Sequence, residues 1–425
     1  MKSQTHNWPS IPLGDIAKCQ GGTAFSPSLQ GRTFGDIPFF KVSDMNLPGN
    51  KWHMRQANNY VTHADTEKIG GSVKPPGSII FPKVGAAIHT NKKRLLTTPA
   101  FVDNNVMAVW STDESRCRSS YLYLYFLTKN LSEFSNPGPL PSINNSKIYE
   151  QTVLLPPPLE QDRISAVIWK VQRAIEVEER LIANTRALKK SAMQQLFTRG
   201  MHGEQQKETD IGLLPQSWRT APLGHYVTTV QYGLSVRGHE TGSVPILRMN
   251  CQLDGQVVFR DLQFVDLDSK TLAAFRVNDG DLLFNRTNSF ELVGRTAIFR
   301  SEREAVFASY LIRLTLDQNA LHPEFVNYFF NQPSVQSALK KLASRGVSQA
   351  NINATKLKEV LIPLASLDEQ RQIAAILEGI DRKITVHERK RGTLQELFKT
   401  LLQELMTGRL RVLDLDIDAS EVTVH

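Results

Sequence analysis

The sequence predicts an α+β chain: two mixed α/β domains in tandem, each followed by one long helix, with the two helices pairing as a coiled coil. Three observations lead there. The chain has 425 residues, more than one ordinary core accommodates. Residues 160–198 recur without a gap as residues 369–407, with 14 identities among 39 positions. Each copy places apolar residues at steps of three and four, the period of a helix with one buried face.

Residues 1–155 form the first domain. Short β-like runs such as "GSIIF" and "VMAVW" alternate with Gly, Pro and Asn turns, and a helical run, "SSYLYLYFLTKNL", comes late. Residues 156–202 hold the first long helix, 203–365 the second domain, 366–410 the second long helix and 411–425 an acidic C-terminal tail. The second domain echoes the first in order. "WPSIPLG" matches "WRTAPLG", and "GDIPFFKVSDM" resembles "GSVPILRMNCQ". "KPPGSIIFPKVG" then resembles "VNDGDLLFNRTN", and "SINNSKIYE" resembles "ANINATKLKE". Two copies of this size indicate a duplicated domain and not a solenoid.

In the first helix the apolar stripe runs Ile164, Ile168, Val171, Ile175, Ile182, Leu188, Ala192 and Leu196, interrupted by Glu178. In the second it runs Ile373, Leu377, Ile380, Ile384, Leu394, Phe398, Leu401 and Leu405, interrupted by His387 and Arg391. Pro156–Pro158 and Asp368 mark the starts, and Gly200 and Gly408 the ends. About forty residues at 1.5 Å each give a rod of about 60 Å. Matching stripes make each helix the economical partner of the other.

Net charge is +8 with an isoelectric point near 9.3, a modest bias toward a polyanionic partner. Residues 1–155 carry +6, residues 156–202 +3, residues 203–366 +1 and residues 367–425 −2, so the excess sits in the first half. Three scattered cysteines suggest a reducing cytoplasm, without a disulfide framework or a zinc cluster. No apolar run is long enough for a membrane span, and the start of the chain lacks the apolar segment of a secretory signal.

The sequence has no G-x-x-x-x-G-K-[ST] loop, no G-x-G-x-x-G after a strand and no H-E-x-x-H. It also lacks the Asp/Asn-Pro-Pro-aromatic motif of amino-methyltransferases, so no catalytic residue, metal or cofactor is expected. What remains is polar, basic loops at matching places in both domains. "FPKVGAAIHTNKKRLL" offers Lys83, His89, Lys92, Lys93 and Arg94; "FNRTNSFELVGR" offers Asn285, Arg286, Thr287 and Asn288. Ser142 and Asn144 of "NPGPLPSINNSK" stand opposite Arg345, Gln349 and Asn351 of "SRGVSQANIN". Tyr232 and Arg248 complete the DNA-contact candidates. Arginine can bond guanine bidentately, asparagine adenine, and lysine clusters suit phosphates. Taken singly, each loop reads more readily as a solvated turn; recurrence in both copies raises the DNA reading to equal weight.

An E-Q-x-x-I start to a long helix, twice, each after a full domain, together with "GDLLFNRTNS-x-ELVG", resembles the specificity subunit of type I restriction–modification enzymes. The resemblance covers essentially the whole chain. It implies two mixed α/β target-recognition domains separated by two long helices forming an antiparallel coiled coil. It also implies a cytoplasmic, non-catalytic subunit whose domains each read one half of a bipartite site in double-stranded DNA. The coiled coil would set the spacing and dock two methyltransferase (modification) subunits. Restriction/translocase subunits would complete the assembly, with methylation, translocation and cleavage in those partner chains. The first domain departs from the pattern, with "FPKVGA" where the second has "FNRTNS".

On the helices, Arg173, Glu179 and Arg180 recur as Arg382, Glu388 and Arg389, which makes them partner-binding candidates. The rival reading is a coiled-coil protein–protein adaptor without sequence-specific DNA binding. The near-neutral second domain is its best support.

Overall fold

The computed structural model describes residues 8–136, 138–345 and 349–412, without the side chain of Arg345. Most of the acidic tail expected from the sequence, residues 413–425, lies outside the described residues. The chain divides into two compact units, residues 1–179 with 389–425 and residues 180–388. Both long helices, Pro158–Arg199 and Leu367–Met406, are shared, so each unit holds one end of each helix.

In the first unit a five-stranded sheet has the order Ala17–Gly21, Val106–Ser111, Ile79–Pro82, Arg94–Leu96, His53–Met54. The last pairing is parallel and the others antiparallel. A smaller sheet sets Ile37–Phe40 between Tyr60–Val61, antiparallel, and Phe101–Val102, parallel. Strand Ser10–Pro12 pairs with Thr152–Leu154.

The second unit repeats this plan. Its larger sheet begins Val227–Tyr232, Leu311–Leu316, Leu282–Asn285, Thr296–Ile298, and its smaller sheet sets Val244–Leu247 between Gln263–Val265 and Val306–Phe307. Strand Arg219–Pro222 pairs with Leu361–Leu364, as Ser10–Pro12 does with Thr152–Leu154. The weak sequence echoes are therefore a shared topology.

The core of the first unit packs Ile79, Phe81, Met107 and Val109 of the sheet against Tyr121, Leu122 and Phe126 of helix Ser119–Thr128. Ile164, Ile168 and Trp169 from the start of the first long helix join it, with Leu402, Leu405 and Met406 from the end of the second. The second unit mirrors this: Phe284, Ile312, Leu314, Phe325 and Phe329 meet Met193 and Phe197 from one helix and Ile373 and Leu377 from the other. Each fully buried Leu, Ile or Phe here contributes about 1.5–3 kcal/mol.

In both units the two helices run antiparallel. In the first, Glu160 meets Arg411 and Glu178 meets Lys390. In the second, Arg186 meets Glu388 and Lys189 meets Asp381. Numbers rise on one helix as they fall on the other.

The repeated Glu-Gln pair opens each helix for two separate reasons. Gln161 accepts from the Arg118 N–H and donates to the Arg116 and Pro156 carbonyls. Gln370 does the same with His322, Ala320 and Ala365. Each glutamine thus stitches its helix to its own domain. Each glutamate reaches the segment just past the end of the other helix. Buried Glu160 holds Arg411 in a fork at 2.5 and 2.7 Å, just past Gly408. Glu369 accepts from the Met201 N–H, just past Gly200, and from Trp218 Nε1, both at 2.9 Å. Gly200 and Gly408 have φ of 65° and 69°, the left-handed helix end that glycine permits.

The seam departs from expectation at one place. Leu188 is 57% exposed, and Thr185, Lys189, Met193 and Phe197 line the buried side instead. The helix keeps its own period of 3.6 residues, so once it packs on a sheet the stripe drifts from a strict heptad. Gln172 and Glu178 are buried as well.

Candidate nucleic-acid interface

In the second unit all four residues of strand Leu282–Asn285 are buried. Immediately after it, Arg286 is held by its main chain: its N–H donates to Tyr310 O at 3.0 Å, and its carbonyl accepts from Ile352 N–H at 2.9 Å. Thr287 and Asn288 then pair with Asn351 and Ala350, and Ser344–Arg345 adds a third short strand. Asn351 Nδ2 donates to Thr287 Oγ1 at 2.6 Å. The Asn288 carboxamide accepts from Ser289 N–H. The Arg286 guanidinium lies over the Tyr232 ring, 4.7 Å from its centroid, and Nη1 donates to Ser309 O at 3.1 Å. Tyr232 Oη is fixed in turn by the Ala354 N–H at 2.9 Å.

The first unit builds the same frame from different residues. Lys83 N–H donates to Asn105 O and Lys83 O accepts from Ile143 N–H, at 2.8 and 2.9 Å. Val84 bridges Ser142, as Thr287 pairs with Asn351. Lys83 therefore occupies the place of Arg286. Its Nζ lies over Gly21, 3.0 Å from where a Cβ would stand, and Gly21 takes the place of Tyr232. Gly22 and Gly233 follow. A side chain at either would collide with main-chain oxygens, Val102 O at 2.1 Å and Ala308 O at 2.3 Å, so both positions require glycine.

Of the residues the sequence singled out, the structure brings Tyr232, Arg286, Thr287, Asn288 and Asn351 together in one unit and Lys83 and Ser142 in the other. Gln349 is exposed beside them, and Asn144 is exposed at the start of helix Asn145–Tyr149. Arg345 contributes its main chain to the short sheet, while its side chain lies outside the described residues.

The others are placed differently. Asn285 is 1% exposed, because it ends a strand whose every residue faces packing. Lys93 is 3% exposed and donates to Lys129 O and Asn91 Oδ1, and burial pushes its ammonium down to about 8. Arg94 donates to the Lys93 and Met45 carbonyls, and burial lowers its pKa too. Lys92 bonds Asn46, His89 faces Ser132, and Arg248 donates to Asp261 O. The basic run at 92–94 thus ties loops of its own unit together. One residue missed by the sequence reading stands at the site: Tyr310, 44% exposed, whose carbonyl takes the Arg286 N–H. It lies in no repeated motif.

On the helices, Glu179 accepts from Lys51 and Glu388 from Arg186, so both repeated glutamates engage their own unit. Arg173, Arg180, Arg382 and Arg389 are exposed. So are two repeated apolar pairs that stay off the buried side of the helices, Val177 with Val386 and Leu188 with Leu397, between 42% and 59% exposed. Among the described residues no helix is long and apolar enough to cross a membrane.

The family model described as type I restriction modification DNA specificity domain matches residues 5–185 and 237–396. A Methanocaldococcus jannaschii protein provisionally named the MjaX type I restriction enzyme specificity subunit is 30% identical over 204 residues, 47% of this chain and 48% of that one. The EcoKI type I restriction enzyme specificity subunit of Escherichia coli K12 is 27% identical over 214 residues, 47% of this chain and 46% of that one. The chain thus spans about half the length of these relatives. Among solved structures, a type I restriction–modification S subunit from M. genitalium shares the fold, with a TM-score of 0.60 at 13% identity over 96% of this chain and 98% of that one. With the specificity-domain family matched on both copies of the repeat, the chain belongs to the type I restriction–modification DNA specificity family.

Proposed function

We propose that this chain is a non-catalytic DNA sequence-recognition subunit of a type I restriction–modification complex, each domain reading one half of a bipartite duplex site. One observation carries the reading. The same main-chain frame recurs in both units with a different side chain at its tip, Arg286 over Tyr232 in one and Lys83 over Gly21 in the other. Two readers of unlike half-sites need this combination, because the frame positions while the side chain at a base edge discriminates. The relatives' names support the same reading.

The repeated exposed residues of the helices support docking of two like partners, the modification subunits, with restriction/translocase subunits in the full complex. Those residues are Arg173, Arg180, Val177 and Leu188 on the first long helix and Arg382, Arg389, Val386 and Leu397 on the second. The coiled coil would set the half-site spacing. Catalysis would belong to the partners, in the cytoplasm where host DNA lies.

Mapping modified adenines in host DNA with and without this gene tests the proposal. Loss of one split motif supports it, and an unchanged map removes it. A salt titration separates it from the adaptor reading, since phosphate contacts require DNA affinity to fall steeply with salt.

A further inference from the structure

We propose that Tyr232 is a positioning residue that locks the Arg286 guanidinium to read one guanine, and that Gly21 leaves Lys83 in the first unit without such discrimination. The inference rests on the DNA-reading function above and adds which base is read and what fixes the reader.

Four constraints converge on Arg286. Its main chain is bonded on both sides, to Tyr310 and Ile352. Its guanidinium lies over the Tyr232 ring at 4.7 Å. Nη1 gives one hydrogen to Ser309 O. The ring beneath it is itself tethered, through Oη, to the first turn of helix Ala354–Glu359. Among the described residues Nη2 donates to nothing, and buried Nε is also without a partner. The second Nη1 hydrogen and those of Nη2 therefore remain for a pair of acceptors in one plane. Guanine presents such a pair, O6 and N7, in the major groove. The planar, always-charged fork of arginine suits that pair, and a stacked ring removes the rotamer freedom that binding would otherwise have to quench.

Lys83 has the same main-chain frame and none of the side-chain constraints. Among the described residues its Nζ forms no hydrogen bond or ion pair, and glycine replaces the ring. A compact ammonium on a four-carbon stem contacts any nearby acceptor, phosphate or base, with little preference.

The test uses the full chain, purified from its host with whatever subunits it carries, and duplexes bearing the mapped site. Each guanine in turn is replaced by 7-deazaguanine, which lacks the N7 acceptor. One guanine, in one half-site, is expected to weaken wild-type binding by roughly 5-fold or more when replaced, and by less than the ~150-fold upper limit for a whole bidentate pair, because O6 remains. Arg286→Lys and Tyr232→Ala should bind the unmodified site more weakly and show no further loss at that guanine. Tyr232→Phe, which keeps the ring and gives up only the Oη tether, should keep a sensitivity at that guanine between those of wild type and Tyr232→Ala. Matched melting temperatures for Tyr232→Phe and wild type keep the comparison valid even where Tyr232→Ala folds poorly.

A half-site pair with no guanine sensitive to 7-deaza replacement overturns the proposal. So does an Arg286→Lys variant that keeps the full sensitivity, or a Tyr232→Phe variant no more sensitive than Tyr232→Ala. No sequence-specific DNA binding by wild type would instead sink the proposed function itself.

Discussion

Glu369 Oε1 accepts the main-chain N–H of Met201 at 2.9 Å, joining the first turn of the second long helix to the residue just past the end of the first. Its other oxygen takes the indole N–H of buried Trp218. Glu160 makes the corresponding closure on Arg411. Each compact unit is thus closed where one helix begins and the other ends.

Glu369→Ala should therefore destabilise the second unit by about 3 kcal/mol, as two hydrogen bonds to a charged acceptor are lost and the Trp218 N–H is left buried without a partner. Thermal unfolding should show a drop of several degrees, and Glu369→Gln a smaller one. An unchanged melting temperature for Glu369→Ala would show that the closure contributes nothing.

Lys83 and Lys93 should separate cleanly. Lys83→Met should lower the slope of log affinity against log salt by about 1, the effect of one lost phosphate contact. Lys93→Met should leave that slope alone and lower stability, since Lys129 O and Asn91 Oδ1 lose their donor. A reduced salt slope for Lys93→Met would restore it to the interface.

Lys93 also predicts a pH dependence. Burial holds its folded pKa at about 8, below the ordinary 10.5. Between those values the unfolded chain binds more protons than the folded one, so this group's contribution to stability rises with pH across that window. The stability of wild type relative to Lys93→Met should climb from pH 8 to pH 10 in denaturant titrations. A flat difference would mean that the ammonium stays charged in the fold.

On the helices, Val177→Asp together with Leu188→Asp should remove one docked modification subunit, and Val386→Asp with Leu397→Asp the other. All four positions are exposed, so folding should change little. Native mass spectrometry of the assembled complex should find one partner fewer for each pair. Retention of both partners by the fourfold variant would show that docking uses another face.

The ion pairs give the register for a spacing test. Glu178 pairs with Lys390, so the heptads 176–182 and 388–394 are matched cuts, and only Glu388 of the Arg186–Glu388 pair falls inside them. Deleting both segments removes one heptad from each helix and about 10.5 Å of rod, or about 3 base pairs. That also turns the groove by roughly 100°. Modification of the native site should be lost. Near-normal modification would mean that the helices do not set the spacing.

The sequence by itself determined the duplication, the two long helices and the loop that carries Arg286 and Asn288. These are local or repeated features, and periodicity and self-alignment read them directly. It also marked the Glu-Gln pair without disclosing its use. Apart from the Pro156 carbonyl, what Gln161 and Glu160 touch lies 43 to 251 residues away, beyond any local pattern. The tertiary structure alone decided which polar residues are available. Asn285 and Arg286 are neighbours, yet the strand buries one and presents the next, and Lys93 sits in a basic run that looks solvated until the Lys129 carbonyl closes over it. It alone placed Tyr232 under Arg286 and Gly21 under Lys83, because pairing between strands far apart in the chain, and not spacing along it, sets those neighbours.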